Sequence, residues 1–264
     1  ASDVYKRQPQ EIFFYRFLIA YLGIWVISPK RLFTNNWKDE LWLVAGGIFG
    51  GSLYFFTENT ALGITQASNV SFIICTAPLL TTILSLLFYK SEKASKGLIY
   101  GSLLALMGVG LIVFNGSFVL KISPIGDLLT LLAALSWAFY SLIIKKMAGR
   151  YPTVFITRKI FFYGVLTILP AFLLHPLQPD TAVLLQPAVL FNLLFLAVLA
   201  SLICYVLWNL VLKQLGTVRA SNYIYLNPLV TMIASFLILD EKITLVALGG
   251  AACIVCGVYW AEKK

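Results

Sequence analysis

Nine long apolar stretches leave this sequence few folds to choose from. They run roughly over Ile12–Ser28, Leu41–Leu62, Ala67–Tyr89, Gly97–Phe114, Gly126–Lys145, Val154–Leu174, Ala188–Leu212, Ala220–Leu239 and Thr244–Trp260. Bilayer hydrocarbon is about 30 Å thick, and a helix needs roughly 20 apolar residues to cross it. The stretches are continuous rather than alternating, which argues against the strands of a membrane barrel. Turn and charge signals separate them, among them Pro29-Lys30-Arg31, Ser91-Glu92-Lys93, Asn115-Gly116-Ser117, Gly149-Arg150-Tyr151-Pro152 and Asp240-Glu241-Lys242. Sixty per cent of the 264 residues are hydrophobic and 12% charged, whereas about a quarter of a soluble domain is charged. The solvent has to be lipid, and the expected fold class is all-α integral membrane.

The positive charges set the expected orientation. If residues 29–40 face the cytoplasm, alternation puts Lys30, Arg31, Lys38, Lys90, Lys93, Lys96, Lys145, Lys146, Arg150, Arg158, Lys159, Lys213, Arg219, Lys263 and Lys264 inside. Only Lys6, Arg7, Lys121 and Lys242 fall outside. The C-terminus is then cytoplasmic. The net charge of +9 is accounted for by these short loops, so nucleic acid is excluded as a partner.

The sequence repeats itself. A shift of 150 residues lays Asn59 on Asn209, Ser71 on Ser221, Pro78 on Pro228 and Thr81 on Thr231. A shift of 149 lays Glu92-Lys93 on Glu241-Lys242, Gly101 on Gly250 and Gly108 on Gly257; a shift of 142 lays Arg16 on Arg158. The second half holds five stretches and the first only four. A helix matching Gly126–Lys145 is therefore expected before Ile12, and residues 1–8 read as a non-membrane segment, either a truncated start or a foreign leader. Five helices per repeat is an odd number, so the two repeats are expected to be inverted in the membrane, as in many secondary transporters. The expected division is residues 9–120 for the first repeat and 121–264 for the second.

Several residues carry a resemblance to a known family. Phe56-Thr57-Glu58-Asn59-Thr60-Ala61-Leu62, Ala67-Ser68-Asn69-Val70-Ser71 and Thr76-Ala77-Pro78-Leu79 are followed by the Glu92-Lys93 loop. The second half repeats the pattern as Arg219-Ala220-Ser221-Asn222, Leu226-Asn227-Pro228-Leu229 and Asp240-Glu241-Lys242, and Ser136-Trp137-Ala138 resembles the tryptophan segment that opens each half. The chain resembles the EamA-type branch of the drug/metabolite transporter superfamily from Pro9 onward. The resemblance implies a ten-helix carrier of two inverted five-helix repeats in a bacterial inner membrane, with both termini cytoplasmic, often exporting amino acids or other metabolites. Nine of the ten helices are expected in this chain.

Polar residues inside apolar stretches are the expected site. A charge near the bilayer centre costs roughly 3 kcal/mol on insertion scales, so such groups face a cavity or a partner. Glu58 is a carboxylate well inside its stretch, and reads as a proton-coupling or amine-binding group, with a structural ion pair or a place near the outer interface as alternatives. Arg16 is its natural partner, or an anchor to the outer headgroups. Its counterpart Arg158 reads as a snorkelling side chain. Asn59, Asn69, Ser71, Asn209, Asn222 and Asn227 outline a polar cavity, unless they only join helices. Pro78 and Pro228 read as matched helix interruptions that free backbone carbonyls or form static kinks. Trp137, Tyr140, Tyr205, Trp208, Tyr223 and Tyr225 read as an aromatic wall or as packing. The overlapping Gly46-Gly47 and Gly50-Gly51 spacings predict close helix contact.

These residues predict a secondary carrier of small metabolites, exporting by alternating access from a central cavity between the repeats. A nucleotide-sugar or drug carrier of the same superfamily, or a non-transporting membrane subunit, is the alternative. No enzyme is expected. The chain has one histidine, His175, and its cysteines (Cys75, Cys204, Cys253, Cys256) all lie in apolar stretches. No cofactor and no metal site are expected. The expected partners are a small-molecule substrate and the lipid bilayer; protons and a second copy in a homodimer are left open.

Overall fold

The structure is a computed structural model that describes residues 9–29, 33–34, 36–89, 95–114, 123–174, 176–177, 184–239 and 243–263. The leader, His175 and the matched Glu-Lys loops lie outside the described residues. Among those described there is no strand, and every predicted stretch is helical. The helices are α1 (Pro9–Ile27), α2 (Trp37–Gly47), α3 (Leu53–Leu62), α4 (Ala67–Ile74), α5 (Ala77–Phe88), α6 (Lys96–Phe114), α7 (Pro124–Ala148), α8 (Thr153–Ile168), α9 (Ala171–Leu174), α10 (Pro187–Leu194), α11 (Cys204–Leu215), α12 (Thr217–Asn222), α13 (Asn227–Leu239) and α14 (Leu245–Glu262). Among the described residues, eight helical stretches are long and apolar enough to cross a membrane. The ninth, formed by α2 and α3, carries Lys38, Asp39 and Glu40 in its first turn and Glu58 near its end. Large apolar side chains such as Leu128, Phe191, Leu237 and Tyr259 are exposed, as lipid-facing residues must be.

Two interruptions recur at repeat-related positions. A π-helical segment, Ile48–Ser52, joins α2 to α3, and another, Phe195–Ile203, joins α10 to α11. The 150-residue shift places the first inside the second. Likewise, α4 and α5 break at Cys75–Thr76, while α12 and α13 are joined by a 3₁₀ turn at Tyr223–Leu226. Pro78 and Pro228 sit in the first turn of α5 and α13. There a proline forfeits no internal hydrogen bond, because the first N–H groups of a helix have no partner within it. Each proline thus stands at the start of a half-helix.

By internal contacts the chain divides into two units, 1–59 with 139–214, and 60–138 with 215–264. Each draws on both halves of the sequence. In the first unit α1 packs on α8 and the second π segment, and α2 packs on α8. Phe17 is fully buried there, with Phe161 edge-on at 5.1 Å and Tyr205 at 5.7 Å. The predicted glycine contacts form in this unit: Gly47 and Gly51 abut Gly164, and a Cβ on Gly50 would overlap the Tyr140 ring.

In the second unit the repeat-related helices α6 and α14 pack closely on each other. A Cβ on Gly101 would meet the Gly257 carbonyl at 2.5 Å, and one on Gly108 the Gly250 carbonyl at 2.5 Å. In the repeat, however, Gly101 corresponds to Gly250 and Gly108 to Gly257. The pairing is crossed, as it is when two copies of one surface meet about a two-fold axis, and α6 and α14 run antiparallel. These two helices thus have the inverted relation that an odd helix number demands. Beside them Cys75, Val109, Tyr225 and Ile254 form a buried apolar core.

Candidate functional site

In the first unit, charged and polar groups gather at the π segments. Arg16 on α1 donates from Nε to Ser201 Oγ at 2.9 Å, and its guanidinium lies 4.5 Å from the Phe55 ring centroid. Ser201 belongs to the second π segment and is fully buried. The Tyr205 hydroxyl donates to the Gly50 carbonyl in the first π segment at 2.5 Å. On α3 the Tyr54 hydroxyl donates to Glu58 Oε1 at 3.0 Å, and Arg16 is close enough to Glu58 to interact with it electrostatically. The physical logic is that a π turn misaligns backbone groups that an α-helix would pair, and side chains can then reach them. One cationic and one anionic group therefore stand in the same half-buried neighbourhood, each also held by a hydroxyl.

A neutral relay lies in the same unit. Buried Tyr140 donates to Asn209 Oδ1 at 2.7 Å, and Asn209 Nδ2 donates to Thr157 Oγ1 at 2.9 Å. Asn59, at the repeat-related position, instead donates to the Phe55 carbonyl of its own helix at 2.7 Å. The two amides are equivalent in sequence and used differently.

The second unit buries another set. Asn69, Thr81, Ser102, Thr217, Ser221, Asn222 and Tyr225 are all buried. Ser102 and Asn222 meet at a long 3.5 Å. Thr81 Oγ1, Ser221 Oγ, Thr217 Oγ1 and Asn222 Nδ2 have no hydrogen-bond partner among the described residues. Pro78 and Pro228 are buried and Trp137 half-buried, whereas Ser71 and Asn227 are exposed. Of the thirteen residues expected at the site, Glu58, Asn59, Tyr140, Tyr205 and Asn209 fall in the first unit, and the other eight in the second.

A further charged cluster was not legible in the sequence. Lys159 on α8 is fully buried and forms an ion pair with Glu40, to which the Tyr163 hydroxyl also donates. Thr34 adds its backbone N–H at 2.8 Å and its hydroxyl at 2.6 Å. Burial pushes the Glu40 carboxyl up, but the hydrogen bonds from Lys159, Thr34 and Tyr163 together outweigh it and hold the group at about 2. Glu40 precedes the apolar stretch that begins at Leu41. Nearby in sequence, Asp39 accepts from Arg150 at 2.5 Å and from Tyr151 at 2.9 Å. The snorkelling expected of Arg158 does not occur: the side chain is 1% exposed and donates to the Ser28 carbonyl at 2.5 Å.

Comparison with known proteins follows the same lines. A profile of the EamA-like transporter family matches residues 3–114 and 124–261. An uncharacterized transporter of Archaeoglobus fulgidus is 30% identical over 260 residues, covering 97% of this chain and 88% of its own length. Probable amino-acid metabolite efflux pumps of Escherichia coli K12 and Salmonella typhimurium are 24% and 27% identical, each over 89% of this chain and 81% of the relative. A solved crystal structure superposes with a TM-score of 0.81 over 99% of this chain and 89% of its own, at 18% identity, a likeness of fold alone.

Proposed function

The chain belongs to the EamA-like transporter family, and from that premise we propose that it is a secondary exporter of small zwitterionic metabolites, amino acids foremost, in a bacterial inner membrane. It is a multi-pass membrane transporter; the substrate class is our reading. The observation that carries it is that Arg16, whose guanidinium lies over the Phe55 ring of α3, and Glu58, about one turn further along that helix, share one half-buried polar neighbourhood. An α-amino acid presents a carboxylate and an ammonium a few ångströms apart. Arg16 is suited to the first, because a guanidinium forks onto a carboxylate. Glu58 is suited to the second, and in the unloaded carrier it is the group that would hold a coupling proton. Tyr205 and Phe55 supply apolar and aromatic surface for a side chain. Phosphate-bearing substrates fit less well, since Lys159 is already neutralised by Glu40.

The matched π segments and half-helix breaks support alternating access. Backbone at such points can change its hydrogen bonding at small cost, and equivalent points in inverted repeats can exchange roles. The names of the Escherichia coli and Salmonella relatives support the export of amino-acid metabolites.

The test is counterflow of radiolabelled amino acids in proteoliposomes, with and without a pH gradient. Arg16→Gln and Glu58→Gln should each reduce counterflow tenfold or more. If chemistry at Glu58 couples protons, the second change should also abolish stimulation by the gradient. Undiminished counterflow in both variants would remove the assignment.

A further inference from the structure

A cavity of about 280 Å³ opens in the second unit where α6 begins and α14 ends. It shares no residue with the Arg16–Glu58 neighbourhood. Its polar lining includes Ser95, Thr217, Arg219, Glu262 and Lys263. Ser95 caps α6, its hydroxyl oxygen accepting from Leu98 N at 3.0 Å. The positive end of a 19-residue helix therefore borders the cavity together with two basic side chains. A second observation points to a ligand. Thr217 is completely buried, and its hydroxyl has no hydrogen-bond partner among the described residues. A buried hydroxyl left unpaired is costly, so a cavity that it lines would gain by filling.

The opposite sign is present too. Glu262 sits at the C-terminus of α14, and its buried Oε1 also lacks a hydrogen-bond partner among the described residues. A lone anion would meet Arg219 and Lys263 favourably but Glu262 unfavourably. A ligand carrying a phosphate and an ammonium satisfies both. The rim indicates where such a ligand comes from: Leu86 and Leu215 line the cavity and are exposed, so apolar surface adjoins the charged part.

We propose that this cavity binds a phosphate–ammonium zwitterion of the phosphoethanolamine kind, with the phosphate on Arg219, Lys263 and the Thr217 hydroxyl and the ammonium on Glu262. The chemistry is shared by a lipid headgroup and by the free molecule.

The delipidated full chain in detergent is titrated with phosphatidylethanolamine, phosphatidylcholine and phosphatidylglycerol of identical acyl chains, and separately with free phosphoethanolamine and inorganic phosphate. Binding is read by native mass spectrometry and by the unfolding midpoint. Phosphatidylethanolamine should bind at least fivefold more tightly than the other two lipids. Arg219→Gln and Thr217→Val should each cost fivefold or more, and Glu262→Gln should erase the preference over phosphatidylglycerol. If free phosphoethanolamine binds as tightly as the lipid, the source is soluble and the assignment stands. Should Arg219→Gln lose helicity, Lys263→Gln at an exposed position supplies the same comparison. Equal binding of all three lipids, or variants that bind like the parent, overturns the proposal.

Discussion

Lys159 shows how a charge can be kept inside a helix bundle. Its ammonium has no exposure, and the carboxylate that neutralises it comes from the first turn of α2. Removing one member of a buried pair strands the other, and such losses run to about 3–5 kcal/mol. Lys159→Met should destabilise the protein by about 3 kcal/mol, the low end because Glu40 keeps some exposure. Glu40→Gln added to Lys159→Met should recover much of that loss in denaturant unfolding in detergent. The pH dependence has a defined sign. The Glu40 carboxyl is held at about 2, below its ordinary 4.5. Its stabilisation is therefore complete above the ordinary value and fades as pH falls toward the folded one. The gap in unfolding midpoint between the parent and Glu40→Gln should be constant from pH 7 to 6 and should shrink between pH 4.5 and 2. A gap independent of pH would show that the ion pair contributes nothing. At the neutral relay, Asn209→Leu removes both the acceptor of the Tyr140 hydroxyl and the donor to Thr157, and should cost about 1–3 kcal/mol by the same measurement.

At the scale of elements, the glycines of α6 and α14 separate close packing from mere helix propensity. A Cβ on Gly108 would press on backbone of the facing helix, whereas one on Gly249 would meet nothing within 4 Å. Gly108→Ala should destabilise by about 1–3 kcal/mol through overpacking. Gly249→Ala should be neutral or stabilise by up to about 1 kcal/mol, because alanine favours a helix. Thermal unfolding of the two variants side by side checks this, and equal effects would mean the helices are not in tight register. The elements also show what a sequence discloses. Long apolar stretches have only one common structure in lipid, so the helices were legible, and Pro78 and Pro228 marked the half-helix breaks. The π segments were not, because Ile48–Ser52 and Phe195–Ile203 share no residue type that demands a wide turn. The Lys159–Glu40 pair was hidden for another reason: Lys159 lies one turn from Phe155 and Tyr163 in an apolar stretch, and only tertiary packing brings Glu40 to it. Asn59 and Asn209 match in sequence, yet one bonds its own helix and the other two neighbouring ones.

For the whole molecule, the crossed glycine pairs of α6 and α14 link the repeat to a topology in the membrane. If the repeats are inverted, corresponding helices must begin on opposite sides. The stretch opened by α2 corresponds to that opened by α10, and Lys38 and Gln186 are exposed at the two starts. The excess of Lys and Arg in alternate loops then predicts Lys38 in the cytoplasm and Gln186 outside. In a background without the four native cysteines, Gln186→Cys should react with an impermeant maleimide added to intact cells. Lys38→Cys should react only after permeabilisation, and a fluorescent protein fused to the C-terminus should mature in the cytoplasm. Labelling of both positions from the same side would mean that the two halves run parallel. A parallel arrangement has no symmetric way to exchange inward- and outward-facing states, so that one result would undo the alternating-access reading while leaving the family membership and the zwitterion cavity untouched.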